Sequence, residues 1–212
     1  MTPIRKRDRA TTKSVLWAVA AVFLLALCAR TVFLSVQGVK LAPDTADYIR
    51  LAENMRAHGA FSLDVGAPFT PSIRRAPLYP AFLAAFIGSD GVSVAWAVAA
   101  QVGMDAAVAV LVLLLAQAVL SLRWAVAAGL AYAIYPGAVY SPTHMVSEPL
   151  FTALTVAGTL LVLYGLLRDR LALTTVAGVM LGLATLCRPI ALPLPFLLVG
   201  VALFVAPRLP RR

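Results

Sequence analysis

The chain has 212 residues, 61% of them hydrophobic and 13% charged, with a mean hydropathy of +0.89. That balance excludes an ordinary soluble domain and points to a multi-span membrane protein. The net charge of +9 would suggest nucleic acid in a soluble chain, but here the cations flank apolar runs. Topology and anionic lipid account for such cations, and no nucleic-acid partner is expected.

Residues 1–14 form a basic tail carrying Arg5, Lys6, Arg7, Arg9 and Lys13. The apolar run at 15–36 is too long for a signal-peptide core and lacks a small-x-small cleavage site, so it reads as a retained first span. The polar stretch at 37–76 follows, with four of the nine acids: Asp44, Asp47, Glu53 and Asp64. Within it, Tyr48, Leu51, Ala52 and Met55 recur at helical spacing, which predicts an amphipathic helix from Asp44 to His58 against lipid or the bundle. Segment 77–88 is too short to cross and contains Pro77 and Pro80, which suits an interfacial piece. Further apolar runs lie at 92–120, 124–141, 149–167, 171–187 and 190–206, before a basic tail at 207–212.

Six spans with both ends cytoplasmic place eleven of the eighteen Lys and Arg inside, in line with the positive-inside rule. The expected fold is therefore all-α: a polytopic helical membrane protein of about six transmembrane helices. A single membrane module covers 15–206, its first outer loop bears interfacial helices, and no internal repeat is evident. Backbone amides in lipid must be satisfied within their own element, and no alternating barrel pattern competes.

On this topology Asp44 and Glu148 share the outer face. Asp44 reads equally as the N-cap of the amphipathic helix or as a catalytic acid. Glu148 sits between Ser147 and Pro149 where a helix begins, so a dipole-favoured first turn also explains it. Arg30, Arg74, Arg75 and Arg188 collect on the same face, where guanidinium groups would bind a lipid phosphate by charge-assisted, bidentate hydrogen bonds. Asp105, inside the second span, requires a partner or a hydrated cavity that the sequence does not name. His58 and His144 lack ligand spacing, and Cys28 and Cys187 read as buried small apolar residues. No nucleotide phosphate loop, HExxH or GxSxG motif is present.

Four segments in order, PDTADYIRLAENMRAHGAF, RRAPLYPAFLAAF, YPGAVYSPTHMVSEPLF and GLATLCRPIALPLP, resemble the N-terminal module of GT-C membrane glycosyltransferases. The nearest group is the family 39-like set: protein O-mannosyltransferases, the lipid A aminoarabinose transferase and RgtA/B/C/D-like enzymes. The resemblance covers about residues 14–206 and implies an inner-membrane enzyme working on the outer face. Such enzymes transfer a sugar from a polyprenyl-phosphate carrier, with inversion, to a lipid, glycan or protein acceptor. It assigns Asp44 as general base in a buried setting and Glu148 as the second acid. Arg188, with Arg74, Arg75 and Arg30, would hold the donor phosphate, and the apolar surface above 77–88 would seat the isoprenoid chain. Thr45 stands where many members carry an acid, and Arg74-Arg75 where some carry a basic-acidic pair. The resemblance leaves a divalent metal and a companion membrane chain open. The alternative is a non-catalytic or truncated module that binds a lipid carrier or partner chain. A small transporter would need polar residues in several spans, and Asp105 alone is clearly mid-span.

Overall fold

The computed structural model describes residues 11–88 and 91–205, with side chains described as far as 201. The cations at positions 5–9 and 208–212 lie outside the described residues.

Helix α1 (Thr12–Gln37) begins where Thr11 Oγ1 accepts a hydrogen bond from the Ser14 amide. Its 26 residues extend about 39 Å, enough to cross a hydrocarbon core of about 30 Å. Helix α2 (Thr45–His58) matches the expected amphipathic helix, and Gly59 closes it in the left-handed conformation at φ 63°. Helix α3 (Leu78–Ala84) has only seven residues and leads into a small antiparallel hairpin, β1 (Ile87–Gly88) with β2 (Gly91–Val92). Segment 77–88 is thus far too short to span.

Beyond the hairpin come α4 (Val94–Val119) and α5 (Leu122–Ile134). The run expected at 124–141 is broken. Pro136 cannot supply the amide that would continue the ladder, and it holds Tyr135 extended at ψ 124°. The chain restarts as α6 (Pro136–Tyr140) and a 3-10 turn at Ser141–Thr143. Helices α7 (Glu148–Arg168), α8 (Leu171–Cys187) and α9 (Pro193–Val205) complete the described order.

Among the described residues the regular structure is all helical apart from that hairpin, and α1, α4 and α7 are long and apolar enough to cross a membrane. Helices α5, α8 and α9 are apolar but have 13, 17 and 13 residues. At 1.5 Å per residue these extend only about 20–26 Å.

Two apolar clusters organise the packing. Val22 and Ala26 of α1 meet Ala106, Ala109 and Leu113 of α4 and Ala125 and Ala133 of α5. These small residues let backbones approach closely, as membrane-helix interfaces require. Gly129 fits there because an added Cβ would lie 3.0 Å from Leu113 Cβ and 3.2 Å from the Ala109 carbonyl oxygen. The second cluster joins Ala52 of α2, Tyr79 and Leu83 of α3, Ala97, Val98 and Val102 of α4, Met145, and Cys187 of α8. It fastens the polar stretch to one end of the bundle. Cys28 departs from the expected burial: it is exposed on α1, whereas Cys187 is buried. A helix apolar on every side does not reveal in its sequence which side faces its neighbours.

Candidate functional site

The chain from α1 to α2 lies beside the 141–147 turn. The Lys40 amide donates to the Thr143 carbonyl, and the Thr45 hydroxyl donates to the Met145 carbonyl while accepting from the Ala42 amide. Thr45, where the resembling family often has an acid, is buried and ties these two segments together. From the other side, Gln101 of α4 donates through Nε2 to the carbonyls of Pro142 and His144, at 3.2 and 2.7 Å. Its Oε1 accepts from the Tyr79 hydroxyl at 2.5 Å, so α3, α4 and the turn meet at one buried amide. Burial pushes the Tyr79 hydroxyl well above its ordinary pKa, so it stays a donor. Met145 and Glu148 therefore stand at the same end of the bundle as Asp44.

Two acid–arginine clusters occupy that end. In the first, Arg75 donates to Asp44 Oδ1 at 2.6 Å and to Asp47 Oδ2 at 2.8 and 3.0 Å. Arg74 lies 3.3 Å from the same Asp47 oxygen, and the Tyr48 ring sits under the Arg75 guanidinium at 5.5 Å. Burial opposes the Arg75 charge, but the hydrogen bonds to Asp47 and Asp44 and their negative charge outweigh it and raise its pKa. Asp44 holds the N-cap position of α2, yet its carboxylate makes no capping bond and turns to Arg75 instead. The side chain is half exposed, so the burial expected of a base is not found here. In the second cluster, Arg188 at the end of α8 meets Glu148 at the start of α7, 2.5 Å apart, with both side chains partly exposed.

Arg30 departs from the expected surface group. Its side chain is fully buried and pairs with Asp105, from Nε at 2.6 Å and from the second terminal nitrogen at 2.5 Å. The remaining nitrogen donates to the carbonyls of Ala26 and Ala133, and Tyr132 donates to the other Asp105 oxygen at 2.8 Å. The partner that Asp105 requires is thus Arg30, supplemented by Tyr132. This lock joins α1, α4 and α5 and leaves Arg30 no access to a ligand phosphate at the surface.

A cleft of about 300 Å³ between α4, α5, α6 and α7 is lined by Asp105, Tyr132, Tyr135, Ser141, Glu148 and Thr152, among others. His144 is buried, with Nδ1 3.0 Å from the Tyr140 carbonyl oxygen, while His58 stacks on Phe69. The remaining part of the polar stretch is a tied loop. Asp64 accepts from the amide and hydroxyl of Thr70 and from the Ser62 hydroxyl, and Asn54 donates to the Ser62 and Asp64 carbonyls. Among the described residues no group of three His, Cys, Asp or Glu side chains could hold a metal ion.

Comparison with protein-family models, with curated proteins and with solved structures gave no significant match. The membrane character of the chain therefore stands on its apolar helices, and its chemistry on the clusters just described.

Proposed function

We propose that this chain transfers a sugar from a polyprenyl-phosphate carrier to a lipid, glycan or protein hydroxyl on the outer face of the cell (inner) membrane. The chain crosses six times, with the broken α5–α6 region as the third span and both ends cytoplasmic. The observation that carries this reading is the meeting of Asp44 with Arg75 and of Glu148 with Arg188 at one end of an apolar bundle. These are the two acids and, counting Arg74, three of the four arginines that the resemblance to GT-C enzymes assigns to acceptor and donor.

The donor phosphate takes Arg75, Arg74 and Arg188, which releases the Asp44 carboxylate from its ion pair. Asp44 then accepts the proton of the acceptor hydroxyl as general base. The hydroxyl oxygen bonds to the anomeric carbon from the side opposite the phosphate, and the carbon–oxygen bond to phosphate breaks. The configuration inverts, and the arginines stabilise the charge on the departing polyprenyl phosphate. Glu148 keeps Arg188 in place and orients the acceptor.

The test is transfer of radiolabelled sugar from polyprenyl-phosphate donors in membranes expressing this chain, beside Asp44→Asn. Loss of a general base predicts a drop of about 10²–10⁴-fold with donor binding retained. Transfer by Asp44→Asn at the wild-type rate overturns the assignment. One observation favours a second reading, a non-catalytic module that binds a lipid carrier or partner chain. Both acids are already neutralised by the arginines meant for phosphate. That reading predicts donor binding without transfer in either protein.

A further inference from the structure

Beside α2 and the residues leading into it lies a groove of about 420 Å³ that neither acid–arginine cluster lines. Leu41, Ala42, Ala46 and Ile49 give it an apolar floor, and Arg50 and Glu53 line it as well. Both charged residues are partly buried, and neither has an ion-pair or hydrogen-bond partner among the described residues. They stand three apart on the helix, a spacing at which opposite charges commonly pair. Glu53 is instead drawn toward the hairpin: a Cβ added at Gly91 would lie 3.3 Å from its Oε1. The groove lining thus carries one positive and one negative group, neither paired among the described residues.

Leu41 in its lining is exposed, and Val32 and Val36 of α1 and Val39, which precede it in the chain, are exposed apolar residues as well. Since α1 is long enough to cross, a groove reached a few residues past its end sits at headgroup depth.

We infer that this groove holds one zwitterionic aminophospholipid of the bilayer, a phosphatidylethanolamine. Its phosphate bonds to Arg50, its ammonium donates to Glu53, and the start of an acyl chain covers Ala46 and Ile49. Charge complementarity selects this occupant. Phosphatidylglycerol would give its phosphate to Arg50 and leave the Glu53 carboxylate with no cation. The quaternary ammonium of phosphatidylcholine has no N–H to donate, and polyprenyl phosphate has no cation at all. The inference stands whether or not the chain transfers sugar.

The test is native mass spectrometry of the full chain released from bilayers of equal phosphatidylethanolamine, phosphatidylglycerol and phosphatidylcholine. The wild type should retain phosphatidylethanolamine about tenfold over either competitor, the scale of one added charge-assisted hydrogen bond. Glu53→Gln should bring it to parity with phosphatidylcholine, and Arg50→Gln should weaken retention of all three. Ala46→Trp, placed on an exposed position of the floor, should displace the lipid without touching either charge. Retention in the bulk ratio, a preference for phosphatidylglycerol, or enrichment that survives Glu53→Gln would each overturn the inference.

Discussion

The Arg30–Asp105 lock gives the sharpest prediction about what holds the bundle together. Both side chains are removed from solvent, at 0% and 3% exposure, and Arg30 also donates to two carbonyls. Taking away one member leaves a buried charge without its counterion, an effect of about 3–5 kcal/mol. Arg30→Met and Asp105→Leu should each lose that much stability. The double variant removes both charges and fills the space with hydrocarbon. What then remain are the Tyr132 hydroxyl without its acceptor and the Ala26 and Ala133 carbonyls without the Arg30 donor, each unmade bond worth about 1–3 kcal/mol at most. The double variant should therefore be no less stable than either single one, with a coupling of at least about 2 kcal/mol. Adding Tyr132→Phe should recover more. Equilibrium unfolding in mixed micelles of rising denaturing-detergent fraction, read by tryptophan fluorescence, measures all four variants. Additivity of the two single effects to within about 0.5 kcal/mol would refute the idea that the two charges depend on one another.

Other consequences are read the same way. Gln101→Leu strips the Tyr79 hydroxyl and the Pro142 and His144 carbonyls of a shared buried partner. It should lose about 1–3 kcal/mol and increase amide exchange across 142–147, measured by hydrogen–deuterium exchange. Gly165→Val should destabilise the α7–α8 corner by about 1–3 kcal/mol in thermal unfolding, because a Cβ there would lie 2.6 Å from Thr174 Cγ2 and 3.1 Å from its amide nitrogen. Gly178→Ala, with open space around it, should be neutral or slightly stabilising. The Asp64 carboxyl is held below its ordinary value of 3.8 by hydrogen bonds from the Thr70 side chain, the Thr70 amide and Ser62. A carboxyl with a lowered folded pKa stabilises above its unfolded pKa, and that contribution fades as pH falls through the lower folded value. The Thr70 amide resonance should accordingly hold steady down to about pH 4 and shift below it, and Asp64→Asn should abolish the transition.

The helical architecture was legible because long apolar runs bounded by arginines leave few alternatives, and the period of Tyr48, Leu51, Ala52 and Met55 located α2 to within a residue. The break at Pro136 could have been read from the proline itself, which denies the ladder an amide in a run otherwise apolar throughout. The pairing of Arg30 with Asp105 could not. The two stand 75 positions apart, and their meeting depends on how α1 and α4 are rotated against each other, which apolar surfaces of uniform character do not encode. Arg30 looked like one more rim arginine for the same reason that Cys28 looked buried. Asn54 was hidden too: its place on the polar side of α2 gives no sign that the 62–64 backbone folds over it. At the candidate site the residue types were visible but their pairing was not. Asp44 had the position of a cap, and only the fold brings Arg75 close enough to draw its carboxylate away from the helix end.

The central claim is that this chain carries out glycosyl transfer with groups gathered at one end of its bundle. Its most direct test is purification of the chain, reconstitution alone into proteoliposomes, and addition of radiolabelled sugar on polyprenyl phosphate with a mixture of lipid, glycan and peptide acceptors. The account predicts label on an acceptor and its loss with Asp44→Asn. An inserted, folded chain that binds the carrier but moves no label would contradict it and leave the carrier-binding module as the better description.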